Sequence, residues 1–185
     1  MAVGAIAIAT ASNSSVLAEE FRNTITGDDL RVLETSKPEG RETAGVKKFL
    51  STGINPYSGK AECLPKGEEI YLTSCSGCHG HLGEGKVGPG LNDAYWTYPK
   101  NKTDKGLFET IYGGAQGMMG PHNDLELDEM LHLMAWIRNL YTGDSKEAEW
   151  LTEEQKKSFK PFKESHASAD GATTPVVEAC KISVE

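Results

Sequence analysis

The chain has 185 residues, of which 38% are hydrophobic, with 20 glycines and 8 prolines. That is enough for one compact, loop-rich domain and argues against two. A formal charge of −8 argues against nucleic acid as a partner class, since a phosphate backbone wants a basic face, and favours basic protein surfaces.

Residues 1–18 read as a secretory signal. They carry no charge and run from small and apolar residues to Val16 and Ala18, which sit at the small-residue positions before a cleavage point. No basic residue follows Met1. Export predicts a periplasmic location. No stretch is long and apolar enough to span a bilayer. Residues 19–185 read as a single domain in three stretches. Residues 19–62 are polar with little sustained periodicity, 63–142 hold the clearest helical patterns, and 143–185 begin polar and end rich in Ala, Ser and Thr.

In chain order, a weak helix is predicted over Thr43–Ser51. A second opens at Pro65-Lys66 and runs through Ile70 and Tyr71 into Cys75. A third starts at Thr103, a good N-cap, with Asp104 in its first turn. Leu107, Phe108 and Ile111 form its stripe, and Gly113-Gly114 stops it. The best-defined helix covers Glu126–Tyr141, with Met130, Leu133, Met134, Ile137, Leu140 and Tyr141 on one broad face. Asp128 and Glu129 suit its early turns, Arg138 its end, and Gly143 a stop. A short helix over Thr152–Phe159 opens with a capping box. The fold class is all-α.

The chemistry lies in Cys75-Ser76-Gly77-Cys78-His79. Cys-x-x-Cys-His is the attachment sequence for c-type haem. Two thiols three residues apart on a helical turn reach the two vinyl groups of one porphyrin, and His79 then points at the iron. A haem also supplies the missing apolar core, and its two propionates add roughly two negative charges when ionised. Half a zinc site is the first rival, but no second Cys pair follows, since Cys63 and Cys180 stand alone. A thioredoxin-like pair is the second, but no βαβ pattern surrounds it.

The sixth iron position needs a ligand. Met118 and Met119 lie between Gly117 and Gly120, followed by Pro121. Methionine in such a loop has no periodic apolar face to join, whereas Met130 and Met134 sit at helical spacing and read as core. Met119 is the expected ligand and Met118 the fallback, and a thioether raises the reduction potential. His122 is a rival ligand, a haem-edge residue or an ordinary loop histidine. His81 reads as solvated loop, His132 as surface or satisfied packing, and His166 as part of the polar tail. Trp96, Trp136 and Trp150 read as packing aromatics, with the Trp96 ring N–H within reach of a propionate. Cys63 and Cys180 remain, and an even remainder in an exported chain predicts one disulfide.

Gly67-x-x-x-Tyr71-x-x-x-Cys75-x-x-Cys78-His79-Gly80 resembles the haem helix of class I cytochromes c. Gly88-Pro89-Gly90-Leu91 resembles the loop in which a proline carbonyl receives the proton of the histidine ligand, a role that falls on Pro89. The resemblance implies three core helices around one covalent haem, over 63–142, with long extensions at both ends. The flanks, the loop Gly113 to His122, and the segments Leu91–Trp96 and Ala135–Arg138 resemble the cytochrome c-L branch. That branch accepts electrons from quinoprotein methanol dehydrogenases containing pyrroloquinoline quinone and passes them to a second, smaller cytochrome c. Some of its members hold Ca2+ near the haem, but no segment here reads as a calcium loop. The expectation is therefore an electron carrier and not an enzyme. A generic class I cytochrome c serving another oxidase or dehydrogenase is the alternative.

Overall fold

Helix α6 (Leu127–Asn139) is the scaffold, and its sequence explains its position. Glu126 caps it through a reciprocal box with Glu129, satisfying two N-terminal amides that would otherwise lack partners. Met130, Leu131, Leu133, Met134 and Ala135 are all fully buried. Large side chains buried this way each contribute about 1.5–3 kcal/mol relative to exposure. The computed structural model describes residues 19–162 and Cys180. The expected signal at 1–18 and His166 lie outside the described residues.

Helix α6 ends two residues short of the expected Tyr141, with Leu140 as its C-cap. Tyr141 is buried in a second small cluster with Ala148, Trp150 and Leu151, its ring edge-on to Trp150 at 4.9 Å. Its apolar spacing reports burial against the following segment, not continuation of the helix.

The helices predicted from Thr43, Pro65, Thr103 and Thr152 are all present in the expected order, and one short helix in the polar stretch, Val32–Thr35, has no periodic signal. Besides α6, the helices are α1 (Val32–Thr35), α2 (Ala44–Thr52), α3 (Leu64–Ser74), α4 (Ser76–His79), α5 (Asp104–Gly113) and α7 (Glu153–Ser158). Short 3-10 turns cover Ala61–Cys63, Pro99–Lys102 and Ser145–Glu147. The side chains of Thr43, Thr103 and Thr152 each accept an amide at the start of α2, α5 and α7. Among the described residues there is no strand, only an isolated bridge between Arg22 and Asp29. No helix in them is long and apolar enough to cross a membrane.

Helix α3 crosses α6 at Gly67. A Cβ there would lie 2.1 Å from the His132 carbonyl oxygen, so only glycine permits the approach. Gly67→Ala is expected to destabilise the protein by about 2–3 kcal/mol, the usual cost of forcing volume into a packed contact. A urea unfolding curve with an unchanged midpoint would contradict this.

The stretch before the haem motif is more ordered than its polarity suggests. Phe21 packs with Phe49 and Phe108 at centroid distances of 5.5 and 5.1 Å. The Arg22 amide donates to Glu109 at 2.8 Å, and Asn23 donates to the Gly113 carbonyl at 3.1 Å. This N-terminal strap therefore lies along the outer side of α5. Glu109 also receives Lys100 and Lys105, each at 2.6 Å. Burial pushes its carboxyl up, but those ammonium groups and the Arg22 amide outweigh burial and hold it below its ordinary value. Cys63 and Cys180 form the expected disulfide, which spans 117 residues of sequence.

Candidate haem site

Helix α4 and the loop after it build one wall of a cleft of about 420 Å³. The cleft is lined by Cys75, Cys78 and His79 on that wall, and by Leu107, Ile111 and Ile137 from α5 and α6. Loop 114–122 closes the far side with Met118, Met119 and His122. The loop after His79 folds back on the helix that carries the motif. Gly85 N–H donates to His79 O at 2.7 Å, Gly88 N–H to Cys78 O at 2.9 Å, and Leu91 N–H to Gly83 O at 2.7 Å. Tyr71 ties the end of α3 to the same turn by donating to the Gly80 carbonyl at 2.8 Å.

That fold-back fixes the imidazole. His79 is 9% exposed, and its Nδ1–H donates to the Pro89 carbonyl at 2.8 Å. The proton is thereby held on Nδ1, leaving the Nε2 lone pair available to a metal. Gly88 lets the loop pass this close, because a Cβ there would sit 2.7 Å from the His79 ring.

Cys75 and Cys78 are not joined to each other. Burial, and then the nearby Cys78, push the Cys75 thiol up to about 11. Such a thiol holds little thiolate near neutrality, which opposes the dithiol redox reading.

The two methionines differ sharply. Met118 is 82% exposed, whereas Met119 is partly buried and packs on the core. Loop 114–122 is closed by Ala115 N–H donating to Met119 O and by His122 N–H donating to Ile111 O, both at 3.0 Å. Its outer half is held by Gln116 N–H donating to the Tyr98 hydroxyl at 3.0 Å. Trp96 is 7% exposed, and its ring nitrogen has no partner among the described residues. His81 is exposed, as expected. His132 is buried and donates from Nδ1 to the Cys63 carbonyl at 2.7 Å, which makes it satisfied packing. Sequence reasoning missed Asn101 and Thr110, which also line the cleft. Neither sits in a motif, and only the fold brings them there.

A family model described as cytochrome c oxidase, cbb3-type, subunit III matches residues 63–137. The chain is 57% identical over 162 residues to cytochrome c-L of Methylorubrum extorquens, covering 85% of this chain and 82% of that protein. The chain belongs to the cytochrome c-L family. The crystal structure of cytochrome cL from Hyphomicrobium denitrificans shares 67% identity and superposes with a TM-score of 0.73, covering 79% of this chain and 88% of that one. Cytochrome CL from Methylophaga aminisulfidivorans shares 54% identity with a TM-score of 0.74, covering 80% of this chain and 98% of that one.

Membership in the cytochrome c-L family makes the chain an electron-transfer protein of class I cytochrome c fold, with covalently attached haem c. The cleft fits such a group. Its walls are mainly apolar, both thiols and the bare Nε2 share one side, and a buried indole N–H awaits an acceptor. Among the described residues, no group of three or more His, Cys, Asp or Glu is placed to hold a metal ion.

Proposed function

We propose that this protein is a periplasmic single-electron carrier, reduced by a quinoprotein methanol dehydrogenase and oxidised by a second, smaller cytochrome c. The observation that carries the reading is similarity to cytochrome c-L along 85% of the chain, flanks included. A generic class I carrier would share only the haem core. The Cys63–Cys180 disulfide supports an oxidising compartment.

Bound haem supplies a ferric–ferrous couple, and the chain's side chains set its surroundings. Cys75 and Cys78 tether the group by thioether bonds, which prevents its loss in a dilute compartment. His79 offers Nε2 to the iron, and the Pro89 carbonyl holds the other ring proton and strengthens that donation. Met119, partly buried against the core, would supply the thioether ligand, Met118 being 82% exposed. Trp96, whose buried ring N–H lacks a partner among the described residues, would donate it to a propionate. His79 and Met119 together would leave the iron no open position for a substrate, and a small transient interface suits rapid release of each partner.

Electron transfer from purified methanol dehydrogenase, compared with unrelated cytochrome c donors, tests the partner. Preferential reduction by the dehydrogenase is expected, and equal rates from all donors would contradict it. The ligand is tested by the long-wavelength sulfur-to-iron band of the ferric protein. Met119→Ala is expected to abolish it and Met118→Ala to leave it intact. The reverse pattern would move the ligand to Met118.

A further inference from the structure

The back of α5 is bonded to the N-terminal strap, and one residue of that helix touches both the strap and the cleft. Thr110 is 4% exposed and lines the cleft. Its hydroxyl donates to Asn101 Oδ1 at 2.7 Å, and Thr24 of the strap lies 2.8 Å from the same hydroxyl. A hydroxyl has one proton to give. Thr110 gives its proton to Asn101 and therefore accepts from Thr24, so the hydrogen bonds run in one direction from the strap inward.

That direction fixes the Asn101 carboxamide. Asn101 is 6% exposed, its backbone carbonyl accepts from Arg138 at 2.8 Å, and its side-chain oxygen is taken by Thr110. The side-chain Nδ2 has no hydrogen-bond partner among the described residues, and the residue lines the cleft. An unpartnered amide N–H2 on a buried residue that lines a cleft is a donor available to an acceptor there.

We propose that Asn101 donates from Nδ2 to an acceptor of the bound haem or its ligand, and that Thr110, itself oriented by Thr24, is the positioning residue that turns the amide that way. The strap thus reaches the cofactor through three side chains. This rests on the haem-site assignment above. The acceptor chemistry is a propionate carboxylate or the ligand thioether, and the sign of the effect is the same for both. A partial positive N–H opposes the extra charge of the ferric form, so removing it favours ferric protein.

The test is the reduction potential of haem-loaded protein, measured optically at fixed poise. Asn101→Leu is expected to raise the ferric-to-ferrous ratio by about tenfold, or 59 mV for one electron. Thr110→Val should raise it about threefold by releasing the amide, and Thr110→Ser should restore it by keeping the hydroxyl. A sulfur-to-iron band shifted in Asn101→Leu identifies the thioether as acceptor, and an unshifted band identifies the carboxylate. An unchanged or lowered ratio in Asn101→Leu overturns the donor. A shift in Asn101→Leu with none in Thr110→Val overturns the positioning role. Wild-type protein lacking covalent haem would instead overturn the site assignment itself.

Discussion

Arg138→Met is expected to cost about 3–5 kcal/mol of folding stability, because it strands a buried carboxylate. The Arg138 and Asp104 side chains are both 2% exposed, with Nε–H donating to the carboxylate at 3.0 Å. The guanidinium also lies over the Trp96 and Trp150 rings at 5.2 and 4.2 Å and donates to the Asn101 carbonyl. Burial pushes the Asp104 carboxyl above its ordinary value, while Arg138 and the Asn55 amide pull it down. Without Arg138 the carboxyl rises further. A carboxyl raised in the folded state binds protons that the unfolded chain does not, so the stability it contributes is present at low pH and is lost as pH rises. The deficit of Arg138→Met should therefore be large near neutrality and shrink toward the unfolded Asp value of about 3.9. Adding Asp104→Asn should recover part of the loss at neutral pH. Guanidinium unfolding of the haem-loaded proteins checks both claims, and a pH-independent deficit with no recovery would contradict them.

Cys180→Ser is expected to cost about 4–5 kcal/mol by loop-closure entropy, since the bond closes a loop of 117 residues. Cys63 is fully buried and belongs to the core, and Cys180 packs against the same cluster. Cys63 also opens α3, the helix that runs to the haem motif, and its carbonyl holds His132 of α6. The bond thus fastens the distal chain to the α3–α6 junction. The folded geometry near the haem should survive its loss, because the His79–Pro89 contact and loop 114–122 make no use of it. The expected result is a protein with an unchanged sulfur-to-iron band and a thermal midpoint lowered by many degrees. A midpoint equal to that of the wild type would contradict the stapling role.

Most of the core was legible because its signals are local. The capping threonines, the stripes of α5 and α6 and the spacing of Cys75, Cys78 and His79 each lie within one element. What escaped is set by contacts between distant segments. Asp104 and Arg138 read as helix-end charges serving the dipoles of their own helices, yet the fold buries them against each other. Phe21 is an isolated apolar residue in a polar stretch, and only its contact with Phe108 of α5 reveals why it is there. Asn101 sits in a short turn with no periodicity. In the site itself, the attachment motif, Pro89 and the methionine loop were visible, while the polar groups behind the cleft were not.

The claim beneath all the others is that Cys75 and Cys78 carry haem through covalent bonds. Acidified acetone extraction of the denatured mature protein, followed by intact mass, tests it directly. The colour is expected to stay with the polypeptide, with a mass heavier by one haem, and Cys75→Ala together with Cys78→Ala should release it. Haem passing into the acetone from the wild-type chain, or a mass equal to the bare polypeptide, would contradict the account.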